Sequence, residues 1–389
     1  MPDRNRQMFS LVSIAISEKN MILSEPANNM DRVTVKDIAR ELNISPGTVS
    51  KALNGKKGVR KQTRDMVAEM ARKSGYSINR TAQSLSRKPV NVSIVLPDVW
   101  KEIYGYIRYG IEIELGALHD NKICGSFYFY SNMFSSMEIR ERLTSFLDAG
   151  TDAVILCPTH IHDYADCLDA LYDKKIKTVI VLGSAVKEGG RFADIRIDSD
   201  MSGSMAAEYA SLLCQKHASA AVFLGNKDLE EHRQKAVSFQ RVAAEKSFPV
   251  SGVYETQDNV DIAYTLTKKV LAEQPGLGVI YVATSNSVAV CRCILDMGAD
   301  SRVRVIATDI FPGMIPYVQS GLIAATIYQN PIRMGRMAVK TIYDTGSSWE
   351  NPYREIFVYP QLILKSNYSV YAEYLQKAEE GMDVDINNA

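Results

Sequence analysis

The chain has 389 residues, 46% hydrophobic and 23% charged. This length suggests two or three domains, and this composition excludes a largely disordered protein. The 45 Lys and Arg residues balance the 45 Asp and Glu residues, which excludes a polycation, and no apolar run is long enough to predict a transmembrane helix. Residues 31–89 nevertheless contain fourteen basic and five acidic side chains, a surplus of nine, so the remainder sums to minus nine. A small basic module on a mildly acidic body indicates that one part of the chain meets a polyanion.

Residues 1–32 show no clear periodicity and are interpreted either as a disordered arm or as a start assigned too far upstream. The apolar stretch 8–16 only weakly imitates a signal peptide, because two serines interrupt it and no cleavage site follows. Reduced thiols and a cytoplasmic location are therefore expected, with no C-x-x-C pair in the sequence. The six cysteines are Cys124, Cys157, Cys167, Cys214, Cys291 and Cys293.

The basic module predicts three short helices. Thr34 and Asp37 have capping-box spacing before the first helix, and Asn43-Ile44 predicts a tight turn. Ser45 followed by Pro46 is typical of a helix start, which predicts a second helix through about Leu53, ended by Asn54-Gly55. A third helix is expected over residues 61–74, with Gly75 as its C-cap. Two short helices joined by a tight turn, with a third completing the core, predict a helix-turn-helix unit.

The second helix is the candidate recognition helix. It carries Thr48, Ser50 and Lys51, whose short or basic side chains can bond base edges or phosphates, while Val49 and Leu53 face the core. The alternative is an ordinary surface helix in a helical subdomain, which the local surplus of positive charge disfavours.

From residue 92 onward, short runs rich in Val and Ile alternate with amphipathic helical stretches, which predicts parallel βαβ units. About nine strands suit two doubly wound lobes better than one. The fold class is therefore α/β: a small all-α helix-turn-helix head followed by a two-lobed parallel-sheet ligand-binding domain. The nine runs are VSIVLP, GSFYFY, AVILC, TVIVL, AAVFLG, SGVYE, GVIYV, VRVIAT and AATIY.

The segment VTVKDIARELNISPGTVS at 33–50, continuing through KALNG to SINRTAQSLSRK, resembles the lactose-repressor (LacI) family of transcription regulators. The resemblance implies a hinge helix over 79–90 that forms on DNA, with Leu85 as a wedge in the minor groove; an ordinary packing leucine is the alternative. Pro46-Gly47 replaces side chains that often read bases in the family, so more of the reading is expected from Thr48, Ser50 and Lys51. The DNA-binding candidates are Thr34, Ser45, Pro46, Gly47, Thr48, Ser50, Lys51, Asn54, Asn79, Arg80, Ala82 and Leu85.

The αβ body resembles the family's effector domain, which is shared with periplasmic sugar-binding proteins. This implies a ligand cleft at the carboxyl ends of the strands, with a monosaccharide or sugar derivative favoured. Relatives often have Asn-Asp where this chain has Thr284-Ser285. Three alternatives stay open: an Asp309–Arg233 salt bridge between the lobes, Trp100 as core or dimer surface, and Asn286 as a helix cap only. The ligand-binding candidates are Trp100, Tyr104, Arg233, Thr284, Asn286, Asp309 and Gln329.

These features predict a dimeric, ligand-responsive repressor that binds a near-palindromic DNA operator. Its expected parts are the head at 33–78, the linker at 79–90, the effector-binding domain at 91–366 and an acidic tail at 367–389. The tail lacks a leucine heptad, which favours a dimer over a tetramer. No catalytic cluster, cofactor or metal site is predicted, and His160-x-His162 is interpreted as a surface loop. The competing hypothesis is a sugar-binding transport protein or a nucleoside-processing αβ enzyme with an incidental basic cap.

Overall fold

A computed structural model describes ten stretches of the chain, which form two compact units, one within residues 1–83 and one within 84–389. None of the helices in these stretches is long and apolar enough to cross a membrane. The stretches are 34–53, 58–74, 88–98, 101–131, 136–158, 161–183, 191–214, 218–345, 354–373 and 375–376.

The first unit contains α1 (Val35–Glu41), α2 (Pro46–Leu53) and α3 (Lys61–Lys73). The predicted capping box is confirmed: Thr34 Oγ1 accepts from the backbone N–H of Asp37, and the Asp37 carboxylate accepts from the backbone N–H of Thr34. The predicted tight turn is also confirmed, since Asn43 has a left-handed φ of 52°.

One small apolar cluster holds the three helices together, with each helix contributing two fully buried side chains. Because these side chains recur at helical spacing, one stripe of each helix is buried and the opposite face is left to solvent. The predicted inward direction of Val49 and Leu53 is confirmed, because Val49 is buried and Leu53 packs against this cluster. The cluster consists of Ile38, Ala39, Val49, Ala52, Val67 and Ala71.

The second unit begins with an N-terminal lobe built on an entirely parallel six-stranded sheet in the order β11-β5-β4-β3-β1-β2. Parallel strands buried on both faces explain the near-continuous Val and Ile runs. The elements are β1 (Val90–Pro97), α4 (Lys101–Ala117), β2 (Ile123–Tyr130), α5 (Ser136–Ser145), β3 (Ala153–Leu156), α6 (Ala165–Asp173), β4 (Lys177–Val181), β5 (Ala193–Ile197), and, after the second lobe, α12 (Pro331–Thr345) and β11 (Arg354–Val358).

The C-terminal lobe contains a second six-stranded sheet in the order β12-β10-β9-β8-β6-β7, parallel except for the antiparallel edge strand β12. The chain passes between the lobes three times: from β5 into α7, from β10 into α12, and from β11 into β12. The elements are α7 (Ser199–Leu213), β6 (Ser219–Leu224), α8 (Glu230–Glu245), β7 (Val250–Glu255), α9 (Val260–Glu273), β8 (Leu277–Val282), α10 (Ser287–Asp296), β9 (Arg304–Thr308), α11 (Ile315–Ser320), β10 (Ile323–Tyr328) and β12 (Gln361–Ile363).

All nine predicted strand runs are strands, and the two-lobed prediction is confirmed. Three further strands, β5, β11 and β12, escaped the sequence analysis. Strand β5 reads ADIRI, in which Asp194 and Arg196 break the apolar run and pair with each other, and β12 has only three residues. Part of the segment predicted as a tail packs on the body, since Leu375 is buried beside Ile310 and Tyr328.

Two glycines allow α12, which enters the first lobe from the second, to lie directly on α4. A Cβ atom at Gly110 of α4 would collide with the backbone carbonyl of Ile332, and one at Gly335 of α12 would collide with the carbonyl of Ile107. Neither obstacle is a flexible side chain, so any larger residue must push the two helices apart.

We therefore expect Gly110→Ala to lower the free energy of unfolding of the body by about 1–3 kcal/mol through overpacking. Gly116→Ala on the same helix is the matched control, because its Cβ would meet nothing within 4 Å; it should add roughly 0.5–1 kcal/mol through helix propensity. Urea denaturation followed by circular dichroism measures both. Equal stability of the two variants would contradict this account of the helix pair.

Candidate functional site

The start of α2 presents polar groups on the surface of the head. The hydroxyl of Ser45 accepts from the backbone N–H of Thr48 at 3.1 Å and lies 2.8 Å from the Thr48 hydroxyl. Pro46, Gly47, Ser50 and Lys51 are exposed around it. This exposed polar face is the one that the sequence analysis assigns to DNA.

The remaining DNA-binding candidates divide into two groups. Thr34 is exposed at the start of α1, where its hydroxyl donates to the Asp37 carboxylate at 2.6 Å. The others lie outside the described residues, so their assignment stays a prediction: Asn54, Asn79, Arg80, Ala82 and Leu85.

The cleft candidates Asp309 and Gln329 are hydrogen-bonded to each other at the carboxyl ends of the neighbouring strands β9 and β10. The backbone N–H of Gln329 donates to Asp309 Oδ1 at 2.8 Å, and its side-chain amide donates to Oδ2 at 2.5 Å. Asp309 has a left-handed φ of 58°, a conformation that is uncommon in non-glycine residues and is enriched at functional sites.

Lys235, on α8, is hydrogen-bonded to this pair. Its ammonium group donates to Gln329 Oε1 at 2.8 Å, and the residue is only 4% exposed. Burial lowers the pKa of Lys235, against the carboxylates of Glu231, Asp309 and Asp258, which raise it. Burial likewise raises the pKa of Asp309, against the two bonds from Gln329 and the charge of Lys235. The cation and the anion thus share one amide, a compact arrangement for two charges removed from water.

The sequence analysis placed the cationic ligand contact at Arg233, and the structure does not bring that residue into the cluster. The Arg233 side chain is 55% exposed and pairs with Glu230, so the alternative salt bridge to Asp309 is not formed either. Two residues along a helix correspond to about 200° of rotation, which places Arg233 and Lys235 on opposite faces of α8. The helical spacing of Glu231, Lys235 and Phe239 is the signal that would have identified the inward face.

Thr284 and Asn286 lie beyond the end of β8 and are buried. The Asn286 side-chain amide donates to Thr256 Oγ1 at 3.1 Å, and no side-chain cap bond is made to α10. The alternative that Asn286 serves only as a helix cap therefore lacks its defining bond. Thr256 in turn donates to the carbonyl of Leu224, so these side chains tie together the ends of β6, β7 and β8.

Charged groups that the sequence analysis did not predict lie near this cluster: Glu231, Asp258, Asp194 and Arg196. Tyr104, a predicted contact on α4 of the first lobe, has a pKa raised by burial and by the nearby Cys157, Glu231 and Asp258. Because Glu231 and Asp258 belong to the second lobe, Tyr104 lies within electrostatic reach of both across the cleft. Trp100, another predicted ligand contact, lies outside the described residues.

The position of the Asp258 carboxylate depends on an unusual backbone conformation. Gln257 and Asp258 have successive left-handed φ values of 53° and 49°, and the Asp258 carboxylate occupies the space that a Cβ atom on Gly225 would need. Burial raises the pKa of Asp258 to about 6, with Lys235 acting in the opposite direction.

Asp194 and Arg196, on β5, contribute charge from the first lobe. Asp194 is fully buried, and its carboxylate lies 3.6 Å from Arg196 Nε. Burial raises its pKa to about 7, with Arg196 lowering it and Glu231 raising it further. Charged groups of both lobes therefore meet in one desolvated region.

Comparison with known proteins identifies both units. Residues 34–79 match the model for bacterial regulatory proteins of the lacI family, and residues 128–346, more than half of the chain, match the periplasmic binding protein domain. The chain is a LacI-family regulator. It is therefore a DNA-binding transcription regulator.

Relatives of this LacI-family regulator include the HTH-type transcriptional regulator pepR1 of Lactobacillus delbrueckii subsp. lactis. That protein is 27% identical over 278 residues, which cover 70% of this chain and 78% of the relative. Catabolite control protein A of Priestia megaterium is 27% identical over 260 residues, covering 65% and 74% of the two chains.

Solved structures share the fold of the LacI-family body. The glucose-galactose binding protein GanP of Geobacillus stearothermophilus aligns with a TM-score of 0.63 at 17% identity, covering 72% of this chain and 99% of its own. A periplasmic solute binding protein of Actinobacillus succinogenes with bound D-allose aligns with a TM-score of 0.66 at 18% identity, covering 73% and 100%.

The opposite placement of Arg233 and Lys235 leads to a stability prediction. We expect Lys235→Met to lower the free energy of unfolding by about 3–5 kcal/mol, because it leaves buried carboxyl groups without their cation. Arg233→Met removes only a surface ion pair and should cost less than about 1 kcal/mol. Urea denaturation at pH 7.5 compares the two, and a Lys235→Met variant as stable as Arg233→Met would contradict the buried network.

Proposed function

We propose that this ligand-responsive transcription regulator acts as a repressor: a homodimer that binds a near-palindromic operator and is controlled by a sugar-like molecule in the cleft of its body. One observation carries the proposal. The same chain joins a helix-turn-helix head to a two-lobed body in which Lys235, Gln329 and Asp309 form a buried polar network at the carboxyl ends of the strands. Open α/β sheets bind small ligands at this edge.

Binding to DNA is supported by the exposed start of α2. Its backbone N–H groups and the side chains of Ser50 and Lys51 can approach a major groove or its phosphates, while Val49 and Ala52 anchor the helix to the core. Lysine donates to guanine less selectively than a bidentate arginine, so we expect phosphate contacts to supply much of the affinity. The wedge role of Leu85 belongs to the same proposal.

Dimerisation is supported by exposed apolar side chains beside both sheet edges. Phe129 is 43% exposed on β2, an edge strand of the first sheet, and Val253 is 37% exposed on β7, an edge strand of the second. Val260 and Ile262 at the start of α9 add to the second patch. A second copy of the chain is the proposed occupant, because a palindromic operator requires two heads one helical turn apart, about 34 Å.

A sugar-like effector is supported by the donors and acceptors in the cleft. Carboxylate, amide, ammonium and hydroxyl groups together can bond several adjacent hydroxyls, which both donate and accept. The aromatic ring of Tyr104 offers a surface for the apolar face of a sugar ring. The Actinobacillus succinogenes protein of the same fold was crystallised with D-allose. The body alone would also suit a sugar-binding transport protein, and the helix-turn-helix head favours the regulator.

The effector can control DNA binding only if it prefers one arrangement of the two lobes. Groups from both lobes face the cleft, so an effector that contacts Tyr104 as well as Asp309 would favour one lobe arrangement over another. We propose that this difference reaches the linker at 79–90 and sets whether Leu85 can enter the minor groove.

The experiment that tests DNA binding uses the full-length chain and duplexes selected from a random pool. We expect an inverted repeat bound by two chains per duplex, with log affinity falling linearly with log salt because bound phosphates release counterions. Lys51→Ala should weaken binding at all selected duplexes and reduce the steepness of the salt dependence, whereas Lys174→Ala in the body serves as the matched control. Fluorescence anisotropy measures affinity, and light scattering measures stoichiometry.

Two results would refute this function. Failure to select any duplex at low salt would remove the proposed DNA binding. One chain per duplex on a site without symmetry would remove the proposed dimer.

A further inference from the structure

We propose that the effector carries a protonated amine as well as hydroxyl groups, as an amino sugar does. This inference rests on the proposed role of the cleft as the effector site and specifies the ligand it takes. It follows from an excess of carboxyl groups in the cleft that the chain itself does not neutralise.

The carboxyl groups of this region outnumber its cations. Lys235 and Arg196 are the cations that act on this region, and Arg196 is already paired with Asp194 and with Glu355. Lys235 is joined to Asp309 through the Gln329 amide. Among the described residues, the carboxyl groups of Glu231 and Asp258 are left without a direct ion-pair partner.

Glu231 lies one helical turn before Lys235. Its Oε1 atom is shielded from solvent and has no hydrogen-bond partner among the described residues, and burial raises its pKa. An unsatisfied buried carboxyl oxygen is costly. A ligand ammonium group near this atom would supply the missing donor.

Asp258 approaches the same region from the end of β7. Lys235 acts electrostatically on both Asp258 and Glu231, and both act on Tyr104. With a pKa near 6, Asp258 is ionised at pH 7.5 and presents negative charge. Gly225 leaves room for its carboxylate, so the acid is held against the backbone beside the cleft.

The chemical class of the ligand follows from two kinds of group in the cleft, the acids and the uncharged polar side chains. Two unneutralised acids favour a cation and disfavour an anion such as a sugar phosphate, because like charges in a desolvated cleft repel strongly. The amide of Gln329 and the other polar groups suit hydroxyls, which a simple alkyl diamine lacks. A hydroxylated amine can bond both the acids and the uncharged polar groups.

The test titrates the full-length protein at pH 7.5 with matched probes by isothermal calorimetry. The probes are D-glucosamine, D-galactosamine and D-mannosamine, each compared with its parent sugar, its N-acetyl derivative and its 6-phosphate, and putrescine as the diamine. We expect at least one amino sugar to bind, with affinity falling at least tenfold on N-acetylation, which removes the charge but keeps the ring.

Variants of the two acids, with a control on the exposed side of α8, locate the effect. Glu231→Gln and Asp258→Asn should each reduce amino-sugar affinity at least tenfold. Glu230→Gln is the matched control, because Glu230 lies on the exposed side of α8 and pairs with Arg233; it should leave the affinity unchanged.

The inference is overturned if no amino sugar binds, if a parent sugar, N-acetyl sugar or phosphate binds as tightly as its amine, or if putrescine binds as tightly as the amino sugar. DNA anisotropy on the same samples separates this from a failure of the proposed function. If the protein binds its duplex and a neutral sugar releases it, the proposed function stands and only the proposal of an amine on the effector is refuted.

Discussion

The body of this regulator depends on how it keeps charged groups out of water at the edge of two sheets. Lys235 and Asp309 are removed from solvent and connected through the Gln329 amide, with one bond of 2.8 Å and one of 2.5 Å. Breaking such a pair costs several kcal/mol because the remaining charge stays buried. The left-handed backbone at Asp309 and the unpaired acids nearby are tolerated because tightly packed lobes surround them.

The same constraint connects the ligand site to conformational change. Three chain crossings join the lobes, and ionisable groups of the two lobes act on one another electrostatically: Tyr104 and Asp194 in the first lobe, Glu231 and Asp258 in the second. A ligand that neutralises the acids would reduce repulsion between lobes that carry like charges. Close packing at Gly110 and Gly335 fixes α12 on the first lobe, so this crossing helix is suited to moving with that lobe as a unit.

Periodicity and turn chemistry were enough to predict most of the fold. The capping box of Thr34 and Asp37, the inward face of α2 and nine strand runs follow from local rules, and the structure confirms each of them. Strand β5 could not be predicted from its pattern, because the charged residues Asp194 and Arg196 interrupt its apolar run and form an ion pair inside the folded lobe. Two charged residues among five are more typical of a loop than of a buried strand, and their pairing is visible only in the folded lobe.

The site could be predicted only in part. Asp309 and Gln329 stand directly after strands, where topology alone brings them together. Arg233 was chosen for its charge, although the helix turns it outward and Lys235 inward. No sequence pattern indicated Asp258 as a site residue. The direction of its side chain depends on the left-handed backbone of Gln257 and Asp258 and on the space above Gly225.

The most direct measurement of the central claim is the effect of sugars and amino sugars on DNA affinity in wild-type protein and in Asp309→Ala. The account predicts that an effector changes wild-type affinity by about 5–150-fold, a normal range for coupling between two sites. It predicts that the variant binds DNA equally well without effector and no longer responds. A variant that responds like the wild type would contradict the role of the buried network in controlling the head.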